Sequence, residues 1–182
     1  MHKIIKHALR GCDTVVELGC GFGVVLAQLI RSGHRAHGVD IFEPYLNYVP
    51  TVAPDATYEC IDVRDWCQAQ SNRSWDAVAM IDFIEHVPKD DGIAIIRHAQ
   101  RIANRTVYIE TPKGYLPQTA EMAEHIATPG VPDMLNVYQE HICGWSVVEL
   151  EALGFTCTVA HKQRLSVTND QAYDRVYATW IR

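Results

Sequence analysis

Residues 15–23 read Val-Val-Glu-Leu-Gly-Cys-Gly-Phe-Gly, an apolar run with one acid that leads into three glycines at alternate positions. The pattern predicts a buried strand over 14–18, a tight turn, and a helix over 23–32 that ends at Gly33. Alternate glycines permit positive φ angles and let a ligand approach the main chain closely. The free N–H groups of the helix point back at the turn, which therefore suits a nucleotide-like ligand.

The spacing of the glycines separates this turn from two other nucleotide-binding turns. A dinucleotide-binding turn needs Gly-x-Gly-x-x-Gly, but Val24 stands at the last position, which disfavours a nicotinamide oxidoreductase. A P-loop would end in Gly-Lys-Ser/Thr, and this turn does not. The pattern from Glu17 to Gly23, Glu-x-Gly-x-Gly-x-Gly, resembles motif I of the class I S-adenosylmethionine-dependent methyltransferases. On these residues alone, the alternative that the glycine turn is structural and binds no ligand remains open.

Acids at three further strand ends strengthen the resemblance. Asp40 ends the second predicted strand, Asp62 follows the third, and Asp82 follows the fourth. In the family, the acid after the second strand accepts both ribose hydroxyls of S-adenosylmethionine, as a carboxylate can for a vicinal diol. The resemblance thus implies a cofactor site that consists of Glu17, Gly19, Cys20, Gly21, Gly23, Asp40, Ile41, Asp62, Val63, Asp82 and Phe83.

Two of these acids also have a purely structural interpretation. Asp40 is suited to cap a helix near 44–48, and Asp62 is suited to start a helical turn over 65–69. Both interpretations remain open at the level of sequence. A carboxylate that accepts main-chain N–H groups and a carboxylate that binds a ligand are the same residue type at the same position in the sequence.

Alternating strands and helices predict an α/β fold with right-handed crossovers. The resemblance implies a doubly wound, mostly parallel seven-stranded sheet whose last strand is antiparallel. Ser146 and Glu149 form the capping-box pattern at the start of a late helix. The predicted strands are 14–18, 35–40, 57–61, 76–81, 105–111, 154–160 and 172–181.

One domain over residues 1–182 is expected, with residues 112–144 as an insertion that covers the substrate. This connection is too long for an ordinary loop and contains four prolines, which is typical of a functional lid. Few residues precede the first strand, so a partner subunit is a candidate for closing the site, and a homodimer is the expected assembly. Tyr115, His125 and Tyr138 are expected to line the insertion near the substrate, and Glu110 is suited either to reach the acceptor or to cap a turn.

Two histidines are candidates for the chemistry at the acceptor. His141 is predicted to act as a general base, because imidazole titrates near neutral pH, and His86 is the second candidate. A hydrogen-bonded structural role remains open for each. Asp82 and Glu85 alone do not establish a metal-dependent, catechol-type mechanism, so no metal site is predicted.

Composition excludes several classes of partner. The net charge is −6 with no basic stripe, and the segment 82–85 lacks the Asn/Asp-Pro-Pro-Tyr motif of base-modifying enzymes, so no nucleic-acid partner is expected. No apolar run is long enough for a membrane span, and a secretory signal is not expected. Six cysteines without a Cys-x-x-Cys pair favour a cytoplasmic location.

The sequence therefore predicts methyl transfer from S-adenosylmethionine to a small-molecule acceptor, at an oxygen, nitrogen or carbon atom. The alternative is a module that binds the cofactor but is catalytically silent, or that acts as a partner in a hetero-oligomer.

Overall fold

The computed structural model of the chain describes residues 3–120, 136–166 and 169–182, so the candidate His125 lies outside the described residues. Within these ranges, seven strands form one sheet in the order β3-β2-β1-β4-β5-β7-β6. β7 is antiparallel to both of its neighbours, and the other pairs are parallel, so the predicted fold class is confirmed. The strands are β1 Thr14–Leu18, β2 Arg35–Asp40, β3 Thr57–Cys60, β4 Trp75–Ile81, β5 Ala103–Pro112, β6 Thr156–Ser166 and β7 Asn169–Ile181.

The last two strands are longer than the sequence predicts. β7 pairs with β5 only as far as Arg175. β6 and β7 continue to pair with each other beyond that point, as far as Ser166 and Asn169. β6 begins at Thr156 because Gly154 takes a φ of 90° and ends the preceding helix instead of starting the strand.

Helices cover both faces of the sheet, as a doubly wound fold requires. One hydrophobic cluster contains Trp66, Ile96 and Leu150, and a second contains Leu9, Leu26 and Leu46. The segment before β1 forms a helix that buries Ile5 in the second cluster. The helices are α1 Lys3–Ala8, α2 Val24–Arg31, α3 Glu43–Leu46, α4 Val49–Val52, α5 Val63–Ala69, α6 Lys89–Ile102 and α7 Val147–Ala152, with 3-10 turns at Ile84–His86 and Val137–Gln139.

The two ends of the predicted insertion meet at the carboxyl edge of the sheet. The N–H of Gly114 donates to the carbonyl oxygen of Trp145 at 2.7 Å, and Ser146 and Glu149 form the predicted capping box of α7. The insertion therefore leaves and rejoins the sheet at one place, next to the ends of β4 and β5. No helix among the described residues is long and apolar enough to cross a membrane.

Candidate functional site

The glycine turn after β1 adopts a backbone that other residues would strain. Gly19 and Gly21 have φ angles of 77° and 50°, in the left-handed region. A Cβ on Gly19 would lie 2.4 Å from the ring of Phe83, whereas one on Gly21 would meet Tyr45 only at 3.9 Å. Gly19 thus allows the turn to pack against the loop after β4, and Gly21 leaves its main chain open to a ligand.

A cavity of about 360 Å³ runs along the carboxyl ends of the strands. It is lined by most of the predicted cofactor residues, namely Gly19, Gly21, Asp40, Ile41, Asp62, Val63, Asp82 and Phe83, and by the candidates His86 and Tyr138. Lining residues that sequence reasoning missed are Arg64, Val87, Pro88, Asp91, Ile95, Asn136, Gln139 and Ile142.

Asp40 connects the end of β2 to the glycine turn. Its Oδ2 accepts the N–H of Gly21 at 2.8 Å, and its Oδ1 accepts the N–H of Phe42 at 2.9 Å. Burial raises the pKa of this carboxyl, and these hydrogen bonds oppose the rise. The helix-cap interpretation is wrong, because α3 begins at Glu43 after Phe42. Each oxygen keeps accepting capacity at the wall of the cavity.

Asp62 has the structural role that the sequence left open, and it also lines the cavity. It is the N-cap of α5, and its Oδ1 accepts the N–H of Arg64 at 2.8 Å. The Arg64 guanidinium donates to the same carboxylate, which lowers the pKa of Asp62. Arg64 also pairs with Asp91 at 3.0 Å, so the side chain connects α5 to α6 at the rim of the cavity.

Three predicted cofactor residues do not line the cavity in the described part of the chain: Glu17, Cys20 and Gly23. Glu17 is 2% exposed, and its Oε2 has no hydrogen-bond partner among the described residues. Burial, with a smaller effect of Asp40, raises the pKa of Glu17 well above its usual range. The acid of the motif is therefore buried next to the turn, and its role in cofactor binding stays a prediction.

An ion-pair network joins the loop after β4 to the last strand. Asp82 follows β4 with a φ of 47°, a strained value for a residue other than glycine. Nη1 of Arg175 lies 2.9 Å from the Asp82 carboxylate and 2.7 Å from Glu110 Oε1. The prediction that Glu110 reaches the substrate is not supported by this geometry, because that carboxylate binds Arg175. Sequence reasoning missed Arg175, and the only signal was a basic residue within an otherwise mostly uncharged strand.

His86 and His141, the two candidates for the chemistry at the acceptor, lie in contact. Their ring centroids are 4.8 Å apart at an interplanar angle of 71°. Nδ1 of His86 lies 3.0 Å from the carbonyl oxygen of Glu140, and Nδ1 of His141 lies 2.6 Å from that of Leu116. Burial lowers the pKa of both rings, to about 4 for His86, so each imidazole is neutral.

Glu85 lies behind the two histidines. It is 2% exposed, and its Oε2 accepts the hydroxyl of Thr111 at 2.9 Å. Its Oε1 is buried and has no hydrogen-bond partner within the described ranges. Burial raises the pKa of Glu85 to about 8.

The end of the insertion is fixed to the loop that carries these residues. The N–H of Ile142 donates to the carbonyl oxygen of Glu85 at 2.9 Å, and that of His141 donates to Gln118 at 3.0 Å. The indole N–H of Trp145 donates to the carbonyl oxygen of Ile84 at 3.0 Å. The insertion therefore forms one wall of the cavity, while Tyr115, a predicted lining residue, is 60% exposed and lies outside it.

Comparison with known proteins agrees with this geometry. The family model described as "Methyltransferase domain" matches residues 15–105, from the strand before the glycine turn to the start of β5. A ubiquinone biosynthesis O-methyltransferase from Acinetobacter baylyi is 28% identical over 113 residues, which cover 56% of this chain and 46% of that protein. The chain spans about half the length of the curated relatives that it matches.

Two solved structures share the fold at low sequence identity. A SAM-dependent methyltransferase from Methanosarcina mazei has a TM-score of 0.71 at 16% identity, with 98% of this chain and 97% of that chain covered. A second structure is a 1,6-didemethyltoxoflavin-N1-methyltransferase from Burkholderia thailandensis with bound 1,6-didemethyltoxoflavin and S-adenosylhomocysteine. It has a TM-score of 0.65 at 16% identity, with 98% of this chain and 74% of that chain covered. The match of the family model to half of the chain shows that the protein belongs to the methyltransferase domain family, within the class I S-adenosylmethionine-dependent methyltransferases that motif I resembled.

Proposed function

We propose that the chain binds S-adenosylmethionine in the cavity and transfers its methyl group to a small-molecule acceptor. The observation that carries the proposal is the Asp40 carboxylate beside the open main chain of Gly21, at the wall of one cavity. A carboxylate that keeps free lone pairs next to an uncovered backbone suits a ribose diol attached to a bulky base and side chain. In the reaction, the acceptor forms a bond to the methyl carbon while the carbon–sulfur bond breaks and its electron pair stays on sulfur.

The described residues fit the cofactor along the whole cavity. Ile41 and Val63 supply apolar contact for the base, and Asp62 supplies an acceptor for its amino group. Asp82 and Phe83 place an anion and an aromatic ring at the other end, where a sulfonium cation is favoured. In this proposal Glu17, Cys20 and Gly23 act through the turn that they shape, since they lie outside the lining of the cavity.

The histidines are assigned to the acceptor. His86 lines the cavity and can take up a proton from a bound acceptor, and His141 packs against it from behind. The bound 1,6-didemethyltoxoflavin of one structural neighbour and the ubiquinone pathway of the named relatives support a small acceptor. No observation in the described part of the chain favours a catalytically silent module.

The proposal includes a cytoplasmic location and a homodimer. All six cysteines, each within the described ranges, are free thiols, which suits a reducing compartment. Exposed apolar side chains on and next to the insertion, including Val137 and Ile142, support contact with a second copy. Light scattering of the purified chain tests the dimer, and a monomeric mass would contradict it.

Removal of the Asp40 carboxylate is expected to weaken cofactor binding while the chain stays folded. Asp40→Ala should lower the affinity for S-adenosylmethionine by about 1–3 kcal/mol, the usual loss for a hydrogen bond to a charged group. Calorimetric titration measures the affinity, and Asp55→Ala, which removes an exposed acid, is the matched control. Unchanged affinity would remove Asp40 from the ribose site. Saturable binding of NAD without binding of S-adenosylmethionine would overturn the proposed function.

A further inference from the structure

Three potential metal ligands converge where the cavity meets the insertion. A carboxylate oxygen of Glu85 and a nitrogen of each of His86 and His141 all lie within 4.8 Å of one another. Ligands of a divalent ion lie about 2.1 Å from it, so neighbouring ligands stand about 3 Å apart. The three groups would therefore have to approach one another by up to about 2 Å to close around one ion.

Hydrogen bonds to main-chain carbonyl oxygens orient both rings. Nδ1 of His86 faces that of Glu140, Nδ1 of His141 faces that of Leu116, and the His86 ring has a further main-chain contact at Asp82. A carbonyl only accepts, so Nδ1 of His141 carries the proton and its Nε2 keeps the lone pair that a metal ion would bind. Imidazoles that bind a metal are commonly oriented by this kind of second hydrogen bond.

One oxygen of Glu85 lacks a partner at this place in the described part of the chain. Its carboxylate is almost fully buried, and of its two oxygens one accepts from Thr111 while the other has no partner among the described residues. Native proteins rarely leave a buried carboxylate oxygen unpaired, because desolvation of the group is costly. A cation held between Glu85 and the two imidazoles would supply the missing interaction.

We propose that Glu85, His86 and His141 form a site for a divalent transition-metal ion that holds an oxygen atom of the methyl acceptor. Two imidazoles and one carboxylate are typical ligands of Zn²⁺, Fe²⁺ or Co²⁺ and leave coordination positions open. His86 lines the cavity, so an ion bound to its ring would border the space that the acceptor can occupy.

The site narrows the acceptor to a compound with a hydroxyl group. Binding to the ion lowers the pKa of the hydroxyl, and its proton passes to water. The oxygen then forms the bond to the methyl carbon, and the carbon–sulfur electron pair stays on sulfur. This inference rests on the proposed function and deepens it. The histidines would bind the ion through their lone pairs, instead of taking up the proton of the acceptor.

The test is direct metal binding by the purified full chain. After treatment with a chelator, the protein is titrated with Co²⁺ while its visible absorption is recorded. Stoichiometric binding is expected, with affinity weakened about 100-fold or more in Glu85→Gln and His141→Asn. His34→Asn is the matched control, because its ring is also bonded to a main-chain carbonyl oxygen, that of Cys12, but lies outside the cavity lining.

The outcomes separate the metal site from the proposed function. Absence of Co²⁺ binding in the wild-type chain, or equal binding by wild type and both variants, would overturn the metal site. Thermal unfolding identifies a variant that fails to fold. If His141→Asn fails to fold, the Co²⁺ affinity of the near-isosteric Glu85→Gln variant decides whether the metal site exists. S-adenosylmethionine binding is measured on the same metal-free samples. If the metal-free chain binds S-adenosylmethionine but no Co²⁺, only the metal site is refuted. If it does not bind S-adenosylmethionine, the proposed function is refuted, regardless of the result with Co²⁺.

Discussion

Arg175→Met is expected to lower the free energy of unfolding by about 3 kcal/mol near neutral pH, since it leaves the buried Glu110 carboxylate without its cation. Nη1 of Arg175 contacts both Asp82 and Glu110, and the Arg175 and Glu110 side chains are only 12% and 15% exposed. Met keeps most of the apolar stem of Arg, so the loss measures the charge and its hydrogen bonds. Urea unfolding at fixed pH gives the free energies.

The loss should depend on pH in a defined direction. Burial raises the pKa of Glu110 above 4.5, and Arg175 opposes that rise. A carboxyl with a raised folded pKa favours the folded state fully below its unfolded pKa, and that stability is lost as the pH rises. Without Arg175 the folded pKa rises further, so the difference between variant and wild type should be small near pH 4 and should grow toward pH 8.

Arg97→Met is the control for this substitution, because Arg97 is exposed on α6. It should change the free energy of unfolding by no more than about 0.5 kcal/mol at either pH. A pH-independent loss in Arg175→Met would contradict the role of the buried Glu110 carboxylate and would leave packing as the cause.

The pattern of strand ends predicted the fold and most of the residues that line one side of the cavity, because both depend on local sequence. The glycines determine the backbone conformation of their own turn. An acid that follows a parallel strand lies at the carboxyl edge of the sheet independently of how the helices pack. The boundaries of β1 and β2 were predicted residue for residue. The ends of β6 and β7 were not, because they depend on pairing between two strands.

The acceptor side depends on contacts between segments that are far apart in the chain. Arg175 meets Asp82 across 93 positions, and His141 reaches His86 only because the insertion bonds to the loop after β4. Sequence reasoning found both histidines but not Glu85 as their neighbour, because the burial of Glu85 depends on that distant packing. It also assigned Glu17 to the cofactor; Glu17 is buried and lies outside the cavity lining, and its role stays a prediction.

Trp145→Ala is expected to cost the largest share of stability of any substitution considered, about 3–5 kcal/mol. The side chain is 1% exposed and belongs to the main hydrophobic cluster. The Lys89 ammonium lies 3.9 Å from the ring centroid, and a Cβ on Gly92 would lie only 2.7 Å from the ring. Ala would leave a cavity that α6 cannot fill without moving. Val148→Ala, on the exposed side of α7, is the control and should change stability little.

The same substitution separates the two sides of the cavity. Trp145 binds the carbonyl oxygen of Ile84 and accepts from Gly114, so it fixes the insertion next to Glu85 and His86. The Asp40 carboxylate is held by the N–H groups of Gly21 and Phe42 and not by Trp145. In folded Trp145→Ala, at a temperature where the variant is stable, we therefore expect S-adenosylmethionine affinity close to that of the wild type and binding of Co²⁺ weakened about tenfold or more. Trp145→Phe, which keeps most of the packing but loses the indole N–H, should show a smaller change in both stability and Co²⁺ binding. Parallel loss of both ligands would contradict this division, because it would mean that the insertion and the glycine turn depend on one another.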